Sequence, residues 1–408
     1  MVFWDGYYHR ASHCISNIKR CLVKVKIGGP FEFTPPMRAN VQNVMNSGRL
    51  SPGPTFVGAF EKNFREYHQI SHAVMTNSGT SALVIAIQAL KELEGWPDGS
   101  EVIVPAITFV ATVNAVIHCN LKPVLVDVRA DDYTIDTDLI LNDAITTRTK
   151  AIIPVHVFGL PADMHPIQHL AQNHDLRVIE DACEALGATY NGQPVGAIAD
   201  IGCFSFYMSH HITAGVGGMA ITGNPRYAWK MKSLLNHGWD RLTAPIDVMT
   251  FDFEAIKSRY HFTSIGHSFR ATELEAAIAL PQLDTLKSDV RRRVTRAKRL
   301  SDGLKTFADK LQLPFCPPHN RTHSYMMYPI VVRDGKKWPL IKHLEKNGVE
   351  TREMLPLTNQ PCYEGLFDEN DYPIAKWINE GGFYIGCSQY LTRDHLDYTI
   401  EIFGEYFG

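Results

Sequence analysis

Short apolar runs recur through the first half of the chain at His72–Thr76, Glu101–Pro105, Pro123–Val128, Ala151–Ile153 and Arg177–Glu180, with helical patterns between them. Strand-length runs that alternate with helices leave little choice of architecture. Parallel neighbours need long crossovers, the crossovers are helices, and the helices cover both faces of the sheet. The rhythm predicts an α/β fold built on a large, mostly parallel sheet. The run at 72–76 leads into Asn77-Ser-Gly-Thr-Ser81, after which Ala82, Leu83, Ala86, Ile87 and Leu90 follow a helical period. Strand, small-residue turn and helix N-terminus together form an anion site, in which free backbone amides and the hydroxyls of Ser78, Thr80 and Ser81 can hold a phosphate. The same residues also serve as ordinary helix caps. At the end of the run Arg177–Glu180, Asp181 places a carboxylate at the carboxyl end of a parallel strand, where sheets of this class bind ligands.

Composition narrows the class further. With 408 residues, 45% hydrophobic and 20% charged, the chain has length for about two or three domains. A net charge of -3 with scattered basic residues gives nucleic acid no electrostatic footprint. The eight cysteines form no C-x-x-C pair, and there is neither a secretory apolar region nor a long apolar span. Free thiols, a cytoplasmic location, no membrane partner and no metal site are therefore expected. Residues 1–28 mix aromatic, histidine and basic residues with Leu22, Val23, Val25 and Ile27; they read as a targeting-like segment or an extra pairing strand.

A second stretch, Cys203-Phe-Ser-Phe-Tyr-Met-Ser-His-His-Ile-Thr-Ala-Gly-Val-Gly-Gly218, reads as a strand running into a loop of small residues. It resembles the cofactor cradle of the DegT/DnrJ/EryC1/StrS sugar aminotransferases, Ser-Phe-x-x-x-Lys followed by Gly-x-Gly-Gly. In that family the lysine forms a Schiff base with pyridoxal phosphate (PLP). Here His210 stands at its position, and there is no lysine between Lys150 and Lys230. His-His-Ile-Thr is similar to the nucleotide-sugar 3-dehydratases of the same family. An imidazole cannot form the imine that an amine forms, but a reference pKa of ~6.5 suits it to proton transfer at neutral pH. As plain loop residues, His210 and His211 would carry no chemistry.

The resemblance runs from Phe31 nearly to the C-terminus. It includes Arg49–Glu61, Pro154–Met164, Asp181–Gly187, Leu235–Trp239 and His267–Ala277. It implies a fold-type-I PLP enzyme and a homodimer, with an arm at 1–28, a large domain at 29–245 and a small α/β domain at 246–408. The boundary is expected where the pattern loosens, between Arg241 and Tyr260. By the same resemblance, Ser78, Gly79, Thr80, Ser81 and Ser205 hold the cofactor phosphate, and Phe109 lies over the pyridine ring. Asp181 pairs with the ring nitrogen and keeps it protonated, and Glu184 sits near the ring 3-hydroxyl. Asn236 reaches the phosphate of the neighbouring subunit, while His156 is a wall of the site. Three departures stand out: Val216 replaces a common cradle acid, Cys183 and Glu184 occupy the ring environment, and there is no Cys-x-Cys pair.

The expected activity is C3 dehydration of a nucleotide-linked 4-keto-6-deoxy sugar. His210 is the base, PLP or pyridoxamine phosphate (PMP) the cofactor, and glutamate an amino donor. A sugar aminotransferase and a non-catalytic PLP or sugar-nucleotide binding protein are the alternatives. A small domain of two helices, a strand at Met326–Val332, a helix from Trp338, a strand at Val349–Arg352 and an amphipathic helix at Asp394–Phe407 completes the expectation.

Overall fold

The structure is a computed structural model that describes residues 24–29, 31–240, 260–315 and 319–408. Most of the N-terminal arm and the expected domain boundary lie outside the described residues. Two helices, α1 (Pro35–Ser47) and α2 (Val57–His68), precede the first strand, β1 (His72–Thr76). Then follow α3 (Gly79–Glu94), β2 (Glu101–Pro105), α4 (Val110–His118), β3 (Lys122–Val126), β4 (Thr149–Ile152), α5 (Met164–His174) and β5 (Arg177–Asp181). A small hairpin, β6 (Thr189–Tyr190) and β7 (Gln193–Pro194), leads to β8 (Ile201–Ser205), β9 (Gly218–Thr222) and α6 (Pro225–Leu235).

These strands form one seven-stranded sheet in the order β1-β9-β8-β5-β4-β2-β3. All run in one direction except β9, which pairs antiparallel with both β1 and β8. That reversal shapes the site, because the first residues of β9 arrive at the edge where the other strands end. Consecutive side chains of each strand divide between two cores, as the period of two requires. Val74, Cys203 and Ala220 pack with Leu83, Ile87, Val116 and Met231 on one face. Met75, Phe204 and Met219 pack with Phe60, Phe64, Phe206 and Leu286 on the other.

The rest of the chain is α7 (Glu273–Leu304), β10 (Leu311–Gln312), β11 (Tyr328–Val332), α8 (Lys337–Lys346), β12 (Thr351–Glu353), α9 (Pro373–Gly381), β13 (Gly382–Ile385) and α10 (Arg393–Phe407). Its strands form an antiparallel sheet in the order β10-β11-β13-β12. The expected pair of helices is a single helix, α7, that continues through Pro281. A proline inside a helix leaves the carbonyl four residues back without its donor, and Asn40 on α1 supplies one, its Nδ2 lying 3.2 Å from the Ala277 oxygen. Val25 forms a parallel bridge with Val349, and Val25 and Ile27 are buried. The described end of the arm thus behaves as the pairing segment that the apolar residues allowed.

Glu273, the first residue of α7, explains the Arg49–Glu61 stretch. Its carboxylate accepts from the backbone N–H groups of Gly53, Phe56 and Val57 at 2.8, 2.8 and 3.1 Å. A buried carboxylate at the N-terminus of α2 satisfies amides that have no partner within the helix.

Candidate active site

The carboxyl ends of β1, β5 and β8 and the start of β9 converge on one edge of the large sheet. Ser78 is the N-cap of α3, its Oγ accepting from the Ser81 N–H at 3.1 Å. Ser81 Oγ in turn donates to Asn77 Oδ1 at 2.6 Å. Capping and anion binding share this geometry, so the turn serves both. Gly217 bridges Ser78, and a Cβ placed on Gly218 would lie 2.4 Å from the Ser78 carbonyl carbon. A Cβ on Gly79 would lie 2.7 Å from Ser205 Cβ and 3.0 Å from Cys183 Sγ. Glycine is required at both places by close approach, and Ser78, Gly79, Cys183, Ser205 and Gly217 form one cup.

Asp181 ends β5 and is buried. Thr112 donates to its Oδ2 at 2.8 Å, and the Cys183 N–H donates to Oδ1 at 3.2 Å. Thr112 itself pairs with Thr108, in the segment before α4, at 2.7 Å. Thr112 lies in the first turn of α4 and Thr108 just before its N-cap, so neither was marked by a local motif. Glu184, one turn past Asp181, accepts the Phe158 N–H at 2.7 Å. Burial, reinforced by the charge of Asp181, pushes its carboxyl up to about 7. Burial and the same aspartate hold the Cys183 thiol well above its ordinary range.

Phe109 precedes α4 and is 59% exposed. A large aromatic left open beside a cup of small residues can cover the face of a flat ligand. His156, by contrast, is fully buried. Its Nδ1 accepts from the Ala162 N–H at 3.0 Å, so its Nε2 carries the proton given to Glu180 Oε2, also at 3.0 Å. Glu180 further accepts from the N–H groups of Gly196, Ile198 and Ala199. This is a structural knot behind the site.

His210 lies in the loop between β8 and β9, half-buried, its N–H donating to the Tyr207 carbonyl at 3.0 Å. Its Nδ1 is buried and has no hydrogen-bond partner. Burial, with help from the Arg293 charge, pushes the imidazole down to about 4, against the opposing effect of the Tyr207 bond. His211 turns the other way and donates through Nε2 to the Ser324 carbonyl at 3.1 Å. The loop is gripped from α7 by Gln282, whose Oε1 accepts from Thr213 N at 3.0 Å while its Nε2 donates to Thr213 O at 2.7 Å. Val216, at the position of the missing acid, is exposed. Asn236, at the end of α6, accepts from Arg270, which pairs through its backbone with Thr76.

A phosphorylated, flat, aromatic cofactor fits this set: backbone amides and hydroxyls in a cup that side chains would fill, an open ring, a buried carboxylate, and an imidazole nitrogen with no protein partner. Among the described residues no cluster of histidine, cysteine and carboxylate side chains can hold a metal, and no helix is long and apolar enough to cross a membrane.

Comparison with known proteins agrees with this architecture. The GDP-perosamine synthase of Caulobacter vibrioides is 34% identical over 367 residues, covering 89% of this chain and 93% of its own. The dTDP-4-dehydro-2,6-dideoxy-D-glucose 3-dehydratase of Saccharopolyspora spinosa is 31% identical over 372 residues, covering 85% and 79%. Among solved structures, the Escherichia coli GDP-4-keto-6-deoxy-D-mannose-3-dehydratase with bound hydrated PLP superposes with a TM-score of 0.84 at 25% identity, covering 93% of this chain and 99% of that one. Residues 34–403 match the DegT/DnrJ/EryC1/StrS aminotransferase family, to which the chain belongs: a family of PLP- and PMP-dependent enzymes that modify sugars.

Proposed function

We propose that the chain removes the C3 hydroxyl from a nucleotide-linked 4-keto-6-deoxy sugar, using PMP held in the cup and glutamate to restore it. The observation that carries this reading is His210, an imidazole with a bare, buried Nδ1 where the family's aminotransferases place a lysine. The next lysine along the chain is no substitute, since Lys230 Nζ is bound to Glu92 and Ser264 at 3.0 Å each.

When bound, the cofactor supplies an electron sink conjugated to the sugar. Ser78, Gly79, Thr80, Ser81 and Ser205 hold its phosphate, with the α3 amides favouring the anion. Phe109 would cover one face of the ring. Asp181, aimed by Thr112 and the Cys183 N–H, would hold a proton on the ring nitrogen. Glu184 would lie on the side of the ring hydroxyl. His210, held down to about 4, is neutral near pH 7 and would take, through a ring nitrogen, the proton lost from the cofactor carbon that bears the amine. The imidazolium then gives that proton to the departing hydroxyl, which leaves as water. Asn236 reaches the phosphate of the partner subunit in a homodimer, so the catalytic unit is the pair.

The similarity to the Caulobacter vibrioides GDP-perosamine synthase favours a second reading, transfer of an amine to the sugar. Incubating purified protein with PMP, glutamate and a panel of 4-keto sugar nucleotides, with product mass spectrometry, separates the two. A product that has lost the C3 oxygen supports dehydration. An amino sugar overturns it, and cofactor binding without turnover leaves a binding protein.

A further inference from the structure

Arg293, in the middle of α7, is 2% exposed and forms no ion pair among the described residues. A guanidinium does not lose its charge in proteins, and burying one without a carboxylate costs several kcal/mol. The nearest acid on its own helix, Asp289, is paired with Arg292 at 3.2 Å. Arg293 Nη1 donates to the carbonyls of Tyr325 and Met326 at 3.1 and 2.8 Å, and its Nε is buried with no partner. A cation kept at this cost calls for an explanation.

The carbonyls it binds belong to a turn that touches both halves of the site. Ser324, one residue before Tyr325, accepts from His211 Nε2 at 3.1 Å. On the other side, Ser324 N donates to the Gly159 carbonyl at 2.8 Å and Met326 N to the Phe158 carbonyl at 3.1 Å. Phe158 is the residue whose N–H holds Glu184. Both Phe158 and Tyr325 have positive φ, 58° and 50°, a conformation that costs a non-glycine residue about 1–3 kcal/mol unless its surroundings enforce it. A Cβ on Gly159 would meet Tyr325 N at 2.6 Å, so the two strained segments are packed backbone to backbone.

We propose that Arg293 is a positioning residue: its buried guanidinium, bound to the Tyr325 and Met326 carbonyls, locks the Ser324–Met326 turn on which His211 rests and so fixes the loop that carries His210. The inference rests on the reading of His210 as the base. Among the described residues, the groups that act on the pair are Arg293 from α7, His323 from the turn and the Tyr207 ring of the loop itself, with no acid among them. His323 is itself buried, stacked on Tyr325 at 3.7 Å and held down to about 3 by burial, so it adds no charge near neutrality. Around Arg293 stand Cys387, Tyr390 and Arg296 together with Asp289. Cys387 Sγ donates to the Arg293 carbonyl at 3.4 Å, so its thiol keeps its proton and leaves the guanidinium uncompensated.

The test is a ring-labelled histidine NMR titration of cofactor-free protein from pH 4.5 to 8. His210→Asn and His211→Asn identify the two signals. Wild type and Arg293→Lys should show His210 uncharged down to about pH 5. Arg293→Met, which keeps the volume and removes both the charge and the carbonyl donors, should raise its midpoint. A folded Arg293→Met with an unmoved His210, or an Arg293→Lys that shifts as far as Arg293→Met, overturns the proposal. So does a wild-type midpoint at 6.5 or above, which decides the matter even if Arg293→Met does not fold. The titration uses neither cofactor nor sugar, so the proposal can fail while dehydration stands, and the reverse.

Discussion

Two imidazoles with buried ring nitrogens, His156 and His210, have opposite designs in this molecule. Around His156 every ring nitrogen has a partner: Ala162 donates to Nδ1, Nε2 donates to Glu180, and three further amides complete the carboxylate. Around His210 the protein supplies a backbone bond to the main chain and leaves Nδ1 bare. A satisfied buried histidine stabilises the fold, whereas an unsatisfied one is a cost the fold must carry for another reason. The neighbouring acids repeat the contrast. Glu180 has four donors and is fully buried, while Asp181, the next residue, has Thr112 and the Cys183 amide and stands at the end of β5.

Substitutions at the two sites should therefore separate stability from activity. The largest effect is expected for His210→Asn, which keeps cofactor binding and the fold but lowers turnover by about 100- to 10,000-fold, the usual value of a general base. Retained activity in a steady-state assay would identify another base. Asp181→Asn should lower the rate by at least ~100-fold with little change in melting temperature, because an amide cannot hold the ring proton. Activity within a few-fold of wild type would place the ring nitrogen elsewhere.

His210→Lys converts the open site into an anchored one. Borohydride treatment with PLP should leave no pyridoxyl group on the wild-type protein and one on the variant, read by peptide mass spectrometry. A pyridoxyl-lysine in the wild type would break the comparison. His156→Asn should act on stability alone, by about 1–3 kcal/mol in denaturant unfolding, since the Glu180 cluster loses a buried partner.

The smallest effect concerns Glu184. Its folded carboxyl is raised to about 7 from 4.5, so the native state holds the proton more tightly than the unfolded chain. That contribution is fully present below about 4.5 and is lost as pH rises through 7. Glu184→Gln lacks the dependence, so its stability relative to wild type should improve from pH 5 to pH 8 in cofactor-free protein. A difference that stays flat with pH would mean that the carboxylate is not desolvated.

Much of this was legible because it is local. The run 72–76, its small-residue turn and the buried Ala82, Leu83, Ala86, Ile87 and Leu90 of α3 follow from period and capping alone. The expected strands at 101–105 and 177–180 lie within a residue of β2 and β5. β9, by contrast, is a short run after glycines, and nothing in its sequence says that it pairs antiparallel between β1 and β8. The continuity of α7 through Pro281 depends on an amide from α1, and the role of Glu273 on a loop more than two hundred residues away.

The sequence alone determined the alternation of strands and helices, the cup of small residues, and the exchange of lysine for histidine at 210, since each is a matter of residue type and near-neighbour spacing. The tertiary structure decided which charges are compensated. Glu180 and Asp181, His156 and His210, Arg292 and Arg293 are pairs of like residues that the chain does not tell apart. Burial and the partners brought in from distant segments give each member its role, because desolvation and hydrogen bonding act on a group through its surroundings in space.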